Sequence, residues 1–84
     1  MNRKEKVTSA IKALEEFEFI DISYLGGINL SLYKLMYKDD GVLLLAKALS
    51  EIRKLSFVRH SIYPTIKMGY YDSPDDIYLH FGFI

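Results

Sequence analysis

The chain has no cysteine, no net charge and no long apolar run, and each absence removes a class of protein. Without cysteine there is no disulfide to staple a small fold and no thiolate to hold a metal, which fits a reducing compartment. Eleven basic residues against eleven acidic ones leave no global field to draw in nucleic acid or an anionic membrane. The longest apolar run, Val42–Ala46, is far short of the roughly 20 residues a membrane span needs. Asn2-Arg3-Lys4 leads into an amphipathic stretch instead of the continuous apolar segment of a secretory signal. A soluble, cytoplasmic protein with no membrane partner is expected.

The chemistry-bearing motifs are missing too. No serine sits in a nucleophile elbow or triad pattern. Gly26-Gly27 lacks the longer loop and the lysine of a phosphate cradle. The metal-ligating types are His60, His80, Asp72, Asp75 and Asp76, and the two histidines fall on opposite faces of their strands, so three or four convergent ligands do not assemble. Glu15, Glu16 and Glu18 end a helix, and the Asp72–Asp76 cluster reads as a surface turn, where charge is solvated and has no reason to acquire a catalytic pKa. The expectation is a protein that is not an enzyme and carries no cofactor or metal.

What is present is apolar surface: half of the 84 residues are hydrophobic and 14% are aromatic. A chain this short buries only roughly 60–65% of its unfolded surface, and 1–84 is expected to form a single compact domain. Val7, Ala10, Ile11, Leu14 and Phe17 recur at spacings of three and four behind Asn2 and Glu5, a capping pair, which places a helix over about 3–17. From Phe19 the period becomes two. Ile20, Ile22 and Tyr24 form one arm of a hairpin, Gly26-Gly27 the turn, and Ile28, Leu30 and Leu32 the second arm, although Leu32, Leu35 and Met36 also suit a helix. Asp39-Asp40-Gly41 breaks the pattern before a second helix over about 42–55, with strands over about 57–63, 65–71 and 77–84. Asp72-Ser73-Pro74-Asp75-Asp76 reads as the turn before the last strand.

The second half echoes the first at an offset of 38 residues. Val7/Leu45, Ile11/Leu49, Leu14/Ile52, Phe17/Leu55, Ile20/Val58 and Leu30/Met68 match in character, while Ala10/Ala48, Phe19/Phe57, Ser23/Ser61, Ile28/Ile66 and Tyr33/Tyr71 are identical. Either a duplication or the shared spacing of any helix–hairpin unit produces this. Both give an α+β fold: two helices packed on one face of a four- or five-stranded antiparallel sheet, in the order α-β-β-α-β-β-β, with a possible αββ pseudo-repeat. Glu15, Glu16 and Asp21 align with Arg53, Lys54 and Arg59, so opposite charges meet if the helices lie side by side or two chains exchange this surface.

Charge is uneven along the chain: 34–67 carries seven basic and three acidic groups, and 68–84 carries three acidic groups alone. With Ile20, Ile22, Ile62, Ile66, Met68, Leu79 and Phe81 turned toward the helices, the period of two turns Tyr33, Phe57, Arg59, Tyr63, Lys67, Tyr71, Tyr78 and His80 outward. Tyrosine and arginine anchor protein interfaces. The sequence therefore points to a small protein-binding module, a homodimer or the stoichiometric regulator or inhibitor of a larger protein, acting through that aromatic face. The alternative is single-stranded nucleic acid, its bases stacked on Tyr63, Tyr71 and Tyr78 and its phosphates met by Arg59 and Lys67.

Overall fold

The computed structural model describes residues 1–59, 64–70 and 73–84. The first helix, α1 (Arg3–Leu14), starts as its capping pair dictates: Asn2 Oδ1 accepts the Glu5 N–H at 2.9 Å and the Glu5 carboxylate accepts the Asn2 N–H at 3.2 Å. It buries Val7, Ala10 and Leu14, and Phe17 and Phe19 are buried in the segment that follows. Two short strands, β1 (Ile20–Ser23) and β2 (Gly27–Ser31), then form an antiparallel hairpin. Its turn depends on Gly26, whose φ of 104° is open to a residue without Cβ.

The ambiguous segment after Leu30 contains both elements. β2 ends at Ser31, whose hydroxyl accepts the Lys34 N–H at 3.1 Å and so caps a one-turn helix, α2 (Leu32–Met36). The third helix is α3 (Gly41–Arg53), which buries Ala48 and Ile52. β3 (Thr65–Tyr70) and β4 (Ser73–Gly82) complete an antiparallel sheet of four strands in the order β1-β2-β4-β3.

The protein is thus a small α+β domain, and the expected succession of helices and strands holds with α2 inserted between β2 and α3. The segment expected as a strand over 57–63 runs beside the end of β4 through one bridge, Val58 to Phe83, flanked by Arg59 N–H to Gly82 O at 2.6 Å and Ile84 N–H to Phe57 O at 2.7 Å. Residues 60–63 lie outside the described set. The expected turn over Asp72–Asp76 is corrected for its last four residues: β4 already begins at Ser73, because pairing with β3 outweighs the local turn preference of Ser-Pro-Asp-Asp.

The core lies between the helices and one side of the sheet. Ala10 and Leu14 of α1, Ala48 and Ile52 of α3, and Ile28, Leu30 and Phe81 of the central strands form one buried cluster with Phe17, Phe19, Leu35, Phe57 and Val58. Removing a side chain such as Ile28, Leu30, Ile52 or Phe81 from water stabilises by about 1.5–3 kcal/mol each. The charge meeting foreseen between Glu15 or Glu16 and Arg53 does not form within the chain: the ion pairs among the described residues join Lys38 to Glu18 and Lys54 to Glu51. Among the described residues no helix is long and apolar enough to cross a membrane.

Candidate functional site

Directly paired residues of an antiparallel sheet share a side, so the register sorts the sheet into rows. Asp21, Asn29, His80 and Thr65 form a polar row across all four strands, and Ser31, Tyr78 and Lys67 form another on the same side. The intervening rows face the helices. They are Ile22, Ile28 and Phe81; then Ile20, Leu30, Leu79 and Ile66; then Ile77 and Met68.

The helix-side rows change character along their length. In the row of Ile20, Leu30, Leu79 and Ile66, Leu30 is fully buried while Ile66 is 69% exposed. Met68 is 72% and Ile77 40% exposed. The cause is lateral position. Ile28 and Leu30 of the interior strand β2 join the buried cluster with residues of α1 and α3, whereas Ile66 and Met68 of the edge strand β3 stay outside it. Ile66 and Met68 therefore point to the side expected for them, yet no core closes over them. A strip of large apolar side chains left in water is a candidate docking surface.

The other side of the same arm is polar and partly built. His80 Nδ1 lies 2.7 Å from Asn29 Oδ1; an amide oxygen only accepts, so the ring proton resides on Nδ1. Burial, and after it the neighbouring Lys67 ammonium, holds the His80 pKa below its ordinary 6.5. The ring also lies over Gly27, where a Cβ would stand 2.5 Å from His80 Cε1. Further along, Asp76 is buried, and the Ser31 hydroxyl donates to its carboxylate at 2.9 Å and 3.1 Å. Since the same hydroxyl caps α2, a relay from the Lys34 N–H through Ser31 to Asp76 ties β4 to the start of that helix.

The eight residues expected on one outward face do not share one. Lys67, Tyr78 and His80 lie together on the polar side. Phe57 does not: it is 8% exposed and part of the core, its ring edge-on to Phe83 at 5.1 Å, because the chain leaving α3 turns inward where a strand was expected. Tyr33 also leaves the sheet, since α2 carries it to an exposed position with its ring edge-on to Tyr37 at 5.2 Å. Arg59 is exposed at the turn beside the end of β4. Tyr63 and Tyr71, like His60 and Ile62, lie outside the described residues.

The sequence offered Asp76 only as a metal-ligating or acid–base type, not as a buried partner of Ser31, and left Ile77 out of the helix-facing set. Asp76 sat inside a turn-like run, but Ile77 opens the alternating stretch to Ile84 and was legible as a strand residue. Among the described residues no three His, Asp or Glu side chains are placed to hold a metal ion. A second apolar surface is the groove between α2 and α3, lined by Leu35, Met36, Val42 and Leu43 with Asp39 and Asp40 at its rim. Compared with protein-family models, with curated proteins and with solved structures, the chain matches none.

Proposed function

We propose that the protein is a non-enzymatic protein-binding module, a stoichiometric regulator or inhibitor, that docks through the helix side of its β3–β4 arm. The observation that supports this is the strip of Ile66, Met68 and Ile77, exposed beside a core to which its own rows belong. Their burial against a partner would recover up to about 1.5–3 kcal/mol each before the costs of association. The proposed docking surface is therefore the side of these strands opposite to the aromatic one read from the sequence.

The polar side supports a second reading. Lys67 and Tyr78 are directly paired, with His80 beside them, a cation and rings on one surface as single-stranded nucleic acid requires. Labelled single-stranded RNA and DNA, titrated at two salt concentrations, separates the two. On the protein-binding reading neither strand binds. Binding that weakens with salt and is lost in Lys67→Glu would transfer the function to the polar side.

A further inference from the structure

We infer that the groove between α2 and α3 is a second docking surface, and that its occupant is a basic amphipathic segment of another protein. Apolar side chains of that segment enter the groove, and its flanking lysines or arginines meet Asp39 and Asp40. The strip of the preceding section lies on β3 and β4, so this goes beyond that reading and is tested apart from it.

The sequence sets a polar turn between two apolar edges. Leu35 and Met36 end α2, Tyr37-Lys38-Asp39-Asp40 follows, and Gly41, Val42 and Leu43 open α3. A helix of one turn hides one side only: Leu35 joins the core, and Met36 is left 70% exposed. Across the turn, Val42 and Leu43 are 86% and 56% exposed. The groove bounded by these edges measures about 380 Å³. That is the small end of the roughly 300–1,000 Å³ of ligand pockets, space for a few side chains of a partner.

The backbone builds the corner. Leu35 O accepts the Lys38 N–H at 3.0 Å and Lys38 O accepts the Gly41 N–H at 3.2 Å, closing two successive turns. The end of α2 comes so near the start of α3 that a Cβ at Gly41 would stand 2.6 Å from Leu35 O. A corner held this closely needs little ordering when a partner arrives.

Charge selects the occupant. The ionised side chains lining the groove are Lys38, Asp39 and Asp40. The Lys38 ammonium pairs with the Glu18 carboxylate, which lies outside the groove and cancels its charge. Asp39 and Asp40 are exposed and form no ion pair among the described residues. Asp40 stands at the N-cap of α3, yet its side chain makes no capping bond. Two uncompensated carboxylates beside an apolar floor repel an acidic segment and favour a basic one. Exposed ion pairs add little affinity, so the acids choose the partner and the apolar floor holds it.

Fluorescence polarisation with two labelled synthetic peptides tests this. One carries leucines at helical spacing with lysines between them; the other has glutamate in place of every lysine. Wild type should bind the lysine peptide with a dissociation constant of about 10–100 µM and leave the glutamate peptide unbound. Raising salt from about 50 to about 300 mM should weaken that binding about threefold. Asp39→Asn/Asp40→Asn should weaken it about threefold to tenfold, and Met36→Ser/Val42→Ser at least about fivefold. Met68→Ser, on the β3–β4 strip, should leave it within about twofold. Circular dichroism identifies any variant that fails to fold; the groove variants alter exposed side chains and remove no capping bond, so the native spectrum should be retained. A wild-type chain that binds neither peptide, or both alike, overturns the inference and leaves the strip reading standing. Binding lost in Met68→Ser and kept in both groove variants places the peptide on the strip, which overturns the inference and supports that reading.

Discussion

Two strands of this sheet carry matching residues and live in opposite environments. In β2, Ile28 and Leu30 are fully buried; in β3, Ile66 and Met68, the same distance along the second half, are 69% and 72% exposed. At two of their echoed positions the helices agree: Ala10 and Ala48 are both fully buried, and so, to within 2% exposure, are Leu14 and Ile52. The contrast shows that side-chain type and alternation decide which way a residue points, whereas place in the sheet decides whether anything lies above it. β2 is interior in the order β1-β2-β4-β3 and its Ile28 and Leu30 join the cluster buried with α1 and α3; β3 is at the edge, and its Ile66 and Met68 stay outside that cluster.

The comparison is broken most severely by cutting the same amount of side chain from each strand. Leu30→Ala should lower the unfolding free energy by about 3 kcal/mol, the cost of lost burial plus a cavity. Met68→Ala should change it by less than about 0.5 kcal/mol in dilute monomer, as exposed substitutions do. Urea denaturation at low micromolar concentration measures both. Equal effects would mean that β3 is covered after all.

The end of β2 gives the next largest effect. Ser31→Ala removes the cap of α2 and strands the buried Asp76 carboxylate, which accepts from that hydroxyl alone among the described groups. A loss of about 1–3 kcal/mol follows. The double variant Ser31→Ala/Asp76→Ala should recover part of it, because no unpartnered acid remains; an additive double variant would show that the two groups are not coupled.

Glycines across one paired position sharpen the contrast further. Gly27 and Gly82 face each other in the β2–β4 ladder. A Cβ at Gly27 meets the His80 ring at 2.5 Å, while at Gly82 nothing lies within 4 Å. Gly27→Ala should therefore cost about 1 kcal/mol as the ring leaves Asn29. Gly82→Ala should be neutral or stabilise by about 0.5 kcal/mol through the unfolded chain. Thermal melts of the two variants decide, and a cost at Gly82 equal to that at Gly27 would contradict the ring's placement.

The smallest effect is the response to pH. The folded-state pKa of His80 lies below its ordinary 6.5, so the folded form resists protonation more than the unfolded chain does. Its contribution to stability is complete above the unfolded value and is lost as pH falls through it toward the folded value. Stability should decline as pH drops below about 6.5, and His80→Gln should flatten that decline. A decline unchanged in His80→Gln assigns it to other groups.

Much of the architecture was legible because it is written in local spacing. The three- and four-residue recurrence behind Asn2 gave α1, the stretch after Asp39-Asp40-Gly41 gave α3, and Gly26 gave the hairpin turn. Where the reading failed, a partner distant in sequence decides the outcome. Ser31 ends β2 and starts α2 in company with Asp76, 45 residues away, and no window around Leu32 contains that information. Phe57 alternates like a strand residue yet joins the core, because the chain leaving α3 folds against Phe83. The candidate strip was half legible: alternation correctly gave Ile66 and Met68 the helix side, but their exposure follows from strand order, which local periodicity does not encode.

The account stands on an apolar strip at the edge of the sheet that the helices leave in water. Its most direct test is methyl NMR of the full chain, with isoleucine δ1 and methionine ε groups labelled, recorded with and without a soluble paramagnetic probe. The methyls of Ile66, Met68 and Ile77 should broaden with the probe while those of Ile28 and Ile52 stay sharp. Spectra in which the three strip methyls broaden no more than the core pair would contradict it.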